Sequence, residues 1–297
     1  MKGYYQEIGL GVLCGLFGKT RQAYYARSWR EEKQRFVDSI VVNLVKEERK
    51  VARRVGGKRL HMILKSTLDA HGIQMGRDQF FEVLRAHGLL VKRRRRRQRT
   101  TFSRHTFRKY PNLTKDLVID RAEQLWVSDI TYIRVDQGFC YLILITDAYS
   151  RKVLGFEFSK TMEASFCLAA LDQAINGRVF PHRKLMHHSD RGLQYCSAIY
   201  VNRLRENQIA ISMTETPDPL ENALAERMNG IFKDNFDIAR IFSSFEQAGQ
   251  FISKAVEYYN HRLPHSSCDM LTPNQAHLRT GVLKKHWKKS RKIESEK

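Results

Sequence analysis

No stretch of this 297-residue chain approaches the ~18 uninterrupted apolar residues that a membrane-spanning helix needs. Membrane insertion is therefore not expected. The opening "MKGYYQEIGLGVLCGLFG" holds only a short apolar run, lacks a small-residue cleavage site and leads into basic, helix-like sequence. It does not read as a signal peptide. The five cysteines (Cys14, Cys140, Cys167, Cys196, Cys268) include no CxxC pair, and the 11 histidines no HxxxH or zinc-finger spacing. A disulfide framework and a zinc site are both unexpected; reduced cysteines in a cytoplasmic protein fit better. Acidic residues are also scarce. The 31 Asp+Glu stand against 52 Lys+Arg, a formal charge of +21. An excess of that size calls for a polyanionic partner, nucleic acid or an anionic membrane surface.

The first hundred residues look helical and basic. In "LGVLCGLFGKTRQAYYARS" Leu10, Leu13, Leu16 and Phe17 precede a Gly18 break, and Thr20 opens a second helix. A second pair follows, with Leu60, Ile63, Leu64 and Leu68 at helical spacing, Gly72 as terminator, then Phe80, Phe81, Leu84 and Leu89. Both pairs have a helix-turn-helix shape, which plain helical packing also explains. The run "KRRRRRQR" from Lys92 reads as a phosphate-binding arm, with Lys92, Arg93, Arg94, Arg95, Arg96 and Arg97 facing DNA. The expected division is 1–91, a helical DNA-binding region; 92–112, a basic arm; 113–280, a core; and 281–297, a basic tail.

From Leu125 the texture changes. "LWVSDITYIRV", "GFCYLILITDAYS" and "RKVLGFEFS" are rich in β-branched and aromatic residues and separated by short turns, which predicts an antiparallel meander. Then come a helix ("MEASFCLAALDQAINGR"), a strand ("KLMHHS"), a helix ("AIYVNRLREN"), a strand ("IAISMT") and two helices ("LENALAERMNGIFKDNF", "SSFEQAGQFISKAVEYYNHRL"). Three antiparallel strands followed by α-β-α-β-α is the order of a ribonuclease-H-like α/β fold, a mixed sheet with helices on both faces.

Within that order three carboxylates draw together. Asp129 lies mid-strand on the face of Val127, Ile133 and Val135, where a charge is costly and neither turn nor cap accounts for it. Asp190 ends the fourth strand, which this order sets beside the first. Carboxylates so placed repel one another unless divalent cations neutralise them. Asn222, Glu226 and Lys233 share one stripe of a following helix, whereas Glu221 points away. By contrast, Asp147 reads as turn structure, and His187 and His188 as support for the fourth strand.

Asp129, Asp190 and Glu226, with 35 residues between the last two, resemble the Asp, Asp, 35, Glu signature of the retroviral-integrase and transposase superfamily. "WVSDITYI", "ITDAYSRKVLGF", "HHSDRGLQY", "NALAERMNGIFK" and the tail "YYNHRLPHSSCDMLTPNQA" each resemble motifs of bacterial insertion-sequence transposases, the downstream-frame (OrfB) type above all. The resemblance spans about Ala52 to Ala276. The chain departs from it at Glu221, where an aspartate is usual, in "TPDPL", and at Leu263, where an arginine is common.

The resemblance implies an enzyme that binds the terminal inverted repeats of an element, cuts there and joins the freed 3′-hydroxyl to target DNA. Asp129, Asp190 and Glu226 would hold two Mg²⁺ ions, Mn²⁺ substituting, with Lys233 and Asn222 near the DNA. No protein nucleophile is required, and no nucleophilic Ser or Cys constellation is seen. Holding two ends implies at least a homodimer on DNA, and the family often adds an upstream-frame protein. The alternatives are an inactive DNA-binding derivative or a ribonuclease-H-like nuclease that cuts without joining.

Overall fold

Thr20 caps a helix with its own side chain: its hydroxyl accepts the Ala23 N–H (3.1 Å). In the computed structural model, which describes residues 8–92, 108–115, 117–215 and 222–286, α1 (Leu10–Leu16) ends at Gly18, whose φ of 62° suits a residue without Cβ. α2 then runs Arg21–Val51, α3 Gly57–Ala70 and α4 Arg77–Ala86. At 31 residues, α2 is much longer than the second helix of a helix-turn-helix. Gly72 (φ 69°) closes the turn after α3 as the sequence suggests. Leu60, Leu64, Leu68, Phe80 and Leu84 are buried, whereas Phe81 and Leu89 are only partly so.

Chain contacts define two compact units: Met1–Glu48 with Leu64–Leu90, and Arg49–Ile63 with Val91–Lys297. Residues 49–63, placed by sequence in the N-terminal region, therefore group with the core. The Arg54 N–H donates to the Asn235 carbonyl (2.8 Å), and the Arg53 guanidinium lies 5.8 Å from the Phe251 ring centre.

The second unit is built on β1 (Leu125–Val135), β2 (Gly138–Asp147) and β3 (Val153–Ser159), then α5 (Ala164–Asn176), β4 (Met186–Ser189), α6 (Ala198–Glu206), β5 (Ala210–Met213), α7 (Ala223–Asn235), β6 (Ile241–Phe242), α8 (Phe245–Arg262) and α9 (Pro273–His277). Strand order is β3-β2-β1-β4-β5, with β6 on the far end of β1. β1 runs antiparallel to β2 and parallel to β4. This is the ribonuclease-H-like mixed sheet. Two short elements escaped the sequence reading, β6 and α9.

Alternation along β1 divides the core. Trp126 packs with Ile143, Ile145, Phe166, Ala170, Leu171, Tyr195 and Tyr200 on the α5–α6 side. Leu125 and Val127 pack with Ala148 and Ala225 on the α7 side. A period of two therefore points Asp129 and Thr131 at α7 as well.

Two polar devices fix the sheet's end nearest the β2–β3 turn. Asp147 does structure that turn: Oδ1 accepts from the Tyr149 N–H (3.1 Å), the Ser150 N–H (2.8 Å) and the Ser150 hydroxyl (2.8 Å), and Oδ2 accepts from the Glu123 N–H (2.7 Å). Burial opposes the charge of Glu123, but His277 and donors from Val179, Arg178 and Phe180 outweigh it and hold its pKa at about 2. The tail motif clamps the same turn. The Asn260 amide accepts from the Val153 N–H (3.0 Å) and donates to the Val153 carbonyl (2.8 Å), while the Tyr259 hydroxyl donates to the Arg151 carbonyl (2.8 Å). Thr272 and Gln275 form a capping box that starts α9.

Gly155 marks the closest approach of β3 to α5. A Cβ there would collide with the Ala170 carbonyl oxygen and meet the Ala174 nitrogen at 3.0 Å, backbone atoms that cannot swing aside. Gly155→Ala is expected to lower stability by about 2 kcal/mol or more in denaturant titration. A neutral Gly155→Ala would show that this contact is loose.

Candidate active site

Asp129 sits at the fifth position of β1, half-buried. Its Oδ1 accepts the Ile130 N–H (2.9 Å), and its Oδ2 accepts the Asn229 amide of α7 (2.8 Å). These two bonds aim the carboxylate, but they do not neutralise it. Burial first, then the charge of Asp190, then that of Glu226, push its pKa up to about 7 against those two hydrogen bonds.

Asp190 follows directly on β4, whose parallel pairing with β1 (Val127↔His188) brings it level with Asp129 in the middle of β1. It is half-buried, and its Oδ1 accepts the Gly192 N–H (3.0 Å). The strand beneath it is held by histidines. His187 Nε2 lies 3.1 Å from the Ser128 hydroxyl and 3.0 Å from that of Tyr200, and burial lowers its pKa to about 3. His188 Nδ1 lies 2.8 Å from the Ser212 hydroxyl of β5. Both are buried and support β4, as the sequence suggested.

Glu226 stands exposed in the first turn of α7. Lys233, two turns on, donates to the Thr131 hydroxyl, on the same face of β1 as Asp129. Asn222 takes a different place from the DNA-facing one expected. It is buried, and its amide donates to the Ser128 carbonyl (3.1 Å), tying the start of α7 to β1. Asn229 is the residue that sequence reasoning missed. It lies on the stripe of Asn222, Glu226 and Lys233, three positions from Glu226, and that periodicity was the available signal. Lys92 is exposed, and its carbonyl accepts the Arg54 guanidinium (2.7 Å). Arg93, Arg94, Arg95, Arg96, Arg97 and Glu221 lie outside the described residues.

All the acidic donors here are carboxylate oxygens, which suit a hard divalent cation. Among the described residues, no three His, Cys, Asp or Glu side chains already stand in a metal-holding arrangement. The Oδ1 atoms of Asn222 and Asn229 are nonetheless buried without a hydrogen-bond partner. Mutual repulsion of the carboxylates, rather than a closed ligand sphere, is what this structure contributes towards a cation.

Comparison with known proteins agrees with this architecture. Two integrase core domain family models match, over residues 120–219 and 207–273. The chain is 32% identical over 213 residues to the protein named for transposition of insertion sequence element IS986/IS6110 in Mycobacterium tuberculosis, covering 70% of this chain and 77% of that one. It is 29% identical over 269 residues to the transposase for insertion sequence element IS629 of Shigella sonnei, covering 86% and 87%. Among solved structures it is similar to the HTLV-2 integrase catalytic core domain in complex with magnesium, at 21% identity and a TM-score of 0.41 over 53% of this chain and 97% of that one. The integrase core domain matches and the transposase relatives define an integrase-core enzyme, a polynucleotidyl transferase by class. The chain belongs to the insertion-sequence transposases of that superfamily.

The Asp129 environment carries a stability cost. Its folded pKa of about 7 lies above the ordinary carboxylate value of 3.8. Below both values the proton is bound in either state and nothing is lost. As pH rises through this window the unfolded chain ionises first, so folding loses up to about 4 kcal/mol by pH 8. Asp129→Asn is expected to stabilise the metal-free protein at pH 8 and to have little effect at pH 4, measured by thermal unfolding in chelator. An Asp129→Asn variant no more stable at pH 8 than at pH 4 would remove the electrostatic frustration from the account.

Proposed function

We propose that Asp129, Asp190 and Glu226 are the catalytic carboxylates of this transposase and that together they hold two divalent ions, Mg²⁺ or in its place Mn²⁺. The observation that carries this reading is the aimed, charge-frustrated Asp129 facing both Asp190 and Glu226. When bound, the ions supply activation of an attacking oxygen and stabilisation of a leaving one. Asn229 and the Ile130 N–H keep the Asp129 oxygens oriented, and the buried His187 keeps β4, and with it the Asp190 that follows, in register.

The reaction then needs no protein nucleophile. In the first step a water gives up a proton as its oxygen bonds to phosphorus at the element end, the 3′-oxygen leaves, and that oxygen takes up a proton. In the second the freed 3′-hydroxyl gives up its proton and bonds to a target phosphorus, whose own 3′-oxygen leaves and is protonated. One phosphodiester breaks for each that forms, so joining consumes no ATP. Element ends and target DNA are the substrates. Lys92 and the Arg93–Arg97 run track phosphates, and Lys233 reaches DNA by exchanging its Thr131 partner for a phosphate. Two ends joined together require at least a dimer. An upstream-frame partner rests on the family resemblance alone.

The direct test is cleavage and joining of DNA bearing native element ends with Mg²⁺. Asp129→Asn, Asp190→Asn and Glu226→Gln should each lower both steps by about a thousandfold or more while DNA affinity holds. Near-normal activity in any of the three would remove that residue from the site. Cutting without joining in the wild type would instead identify a nuclease, and no reaction at all an inactive derivative.

Binding should also weaken steeply with salt, because each neutralised phosphate releases counterions. Replacing Arg93–Arg97 by serine should flatten the slope of log K against log salt and weaken all sequences alike. Loss confined to element-end sequences would mean that this run reads bases.

A further inference from the structure

The tail motif holds a buried nitrogen that nothing satisfies. His265, just beyond α8, is only 4% exposed. Its Nε2 is buried without a hydrogen-bond partner among the described residues, an arrangement that costs stability unless something else supplies the partner. Tyr259 ties His265 to its surroundings. The two rings meet edge to face, with centres 5.1 Å apart and 80° between planes. The Tyr259 hydroxyl donates to the Arg151 carbonyl (2.8 Å) and lies 3.4 Å from the Met228 sulfur. The β2–β3 turn, α7 and the loop after α8 therefore meet around one buried tyrosine.

Three guanidinium groups bear on this point. Arg59 comes from the part of α3 that groups with the core, Arg151 from the β2–β3 turn and Arg227 from α7, beside Met228. Burial first, then the charges of Arg59, Arg151 and Arg227, lower the pKa of His265 to about 3, so its imidazole is neutral. Arg59 is half-buried; burial lowers its own pKa, Tyr259 opposes that shift and the charge of Arg227 adds to it. Arg151 holds a φ of 67°, uncommon for a residue with a Cβ. Its guanidinium meets only neutral acceptors, the Ser267 hydroxyl (3.3 Å) and the Ala148 carbonyl. None of the three arginines pairs with a carboxylate among the described residues. Asp147, close in sequence to Arg151, spends its oxygens on Tyr149, Ser150 and Glu123. Like charges gathered round an unsatisfied nitrogen call for an anion.

We propose that Arg59, Arg151, Arg227 and His265 form a phosphate-binding site, on a different side of α7 from the stripe that faces β1. A phosphate offers several acceptor oxygens, which match guanidinium forks and an imidazole N–H at Nε2. The phosphate comes from the backbone of bound DNA. Arg227 adjoins Glu226 in α7, so a strand held at Glu226 has Arg227 beside it. That source rests on the proposed role of Glu226; the anion site does not.

The test is the side-chain ¹⁵N magnetic resonance signal of His265 in the full chain, in chelator, assigned by its loss in His265→Gln. Added inorganic phosphate should move this signal to saturation. Arg227→Gln should weaken the phosphate affinity by about tenfold, the loss of one charge-assisted contact. Arg227 is exposed, so its replacement leaves the core intact. Arg203→Gln removes an equal charge from α6 and should titrate like the wild type. Duplex DNA should move the same signal, and Arg227→Gln should lower the slope of log K against log salt by about one. A response to inorganic phosphate with an unchanged DNA slope would keep the site and overturn its DNA source. A His265 signal indifferent to both phosphate and DNA would overturn the site itself. So would equal weakening by Arg203→Gln, which would mean general attraction to a basic chain. No metal and no cleavage enter the readout, so none of these outcomes bears on Asp129, Asp190 or Glu226 as metal ligands.

Discussion

A carboxylate placed mid-strand, facing a helix and two other carboxylates, is the constraint around which the second unit is arranged. Asp129 would be more stable as an asparagine at neutral pH in the absence of a countercharge, because burial, Asp190 and Glu226 all oppose its ionisation. The fold bears this cost with rigid surroundings. β1 is paired on both sides, antiparallel to β2 and parallel to β4, so Asp129 cannot withdraw without breaking ladder bonds. On the facing helix, Asn229 and Asn222 tie α7 to β1 at Asp129 and at the Ser128 carbonyl. The helix that carries Glu226 is thereby fixed by neutral amides, which orient without supplying charge.

The rest of the unit serves that geometry from a distance. The neutral His187 joins β4 to Ser128 of β1 and Tyr200 of α6, which fixes the strand end from which Asp190 projects. At the opposite end, Asp147, Glu123 and the Asn260 clamp hold the β2–β3 turn. The tail motif thereby gains a physical meaning. Its Tyr259 and Asn260 are spent on the backbone of Arg151 and Val153, and Thr272 starts a helix. Such residues preserve a sheet end.

Much of this was legible in the sequence because the signals are strong and local. The β-branched texture from Leu125 gave three strands, and the apolar periodicities gave the helices that follow, so the strands and helix carrying Asp129, Asp190 and Glu226 could be read directly. What escaped had weak or delocalised signals. β6 has only two residues and pairs through backbone alone. α9 was signalled by Thr272, Pro273 and Gln275, but at five residues it has no periodicity to read. Asn229 shares the stripe of Asn222, Glu226 and Lys233, but that periodicity does not say which side chain on it bonds Asp129, and only the fold shows that Asn229 does. Asn222 was expected near the DNA because it shares the stripe of Glu226 and Lys233, whereas its amide closes on Ser128 inside. The assignment of residues 49–63 to the core also depended on tertiary contact, the Arg54 bond to Asn235, which no local pattern announces.

The central claim is that these carboxylates form a site whose unfavourable charge a divalent cation relieves. It is tested most directly by counting bound Mn²⁺ at pH 8 by electron paramagnetic resonance, with element-end DNA present and Mg²⁺ as competitor. The account predicts two Mg²⁺-displaceable ions per wild-type chain and the loss of at least one in Asp190→Asn, with DNA binding retained. Equal Mn²⁺ binding by the wild type and Asp190→Asn would contradict it.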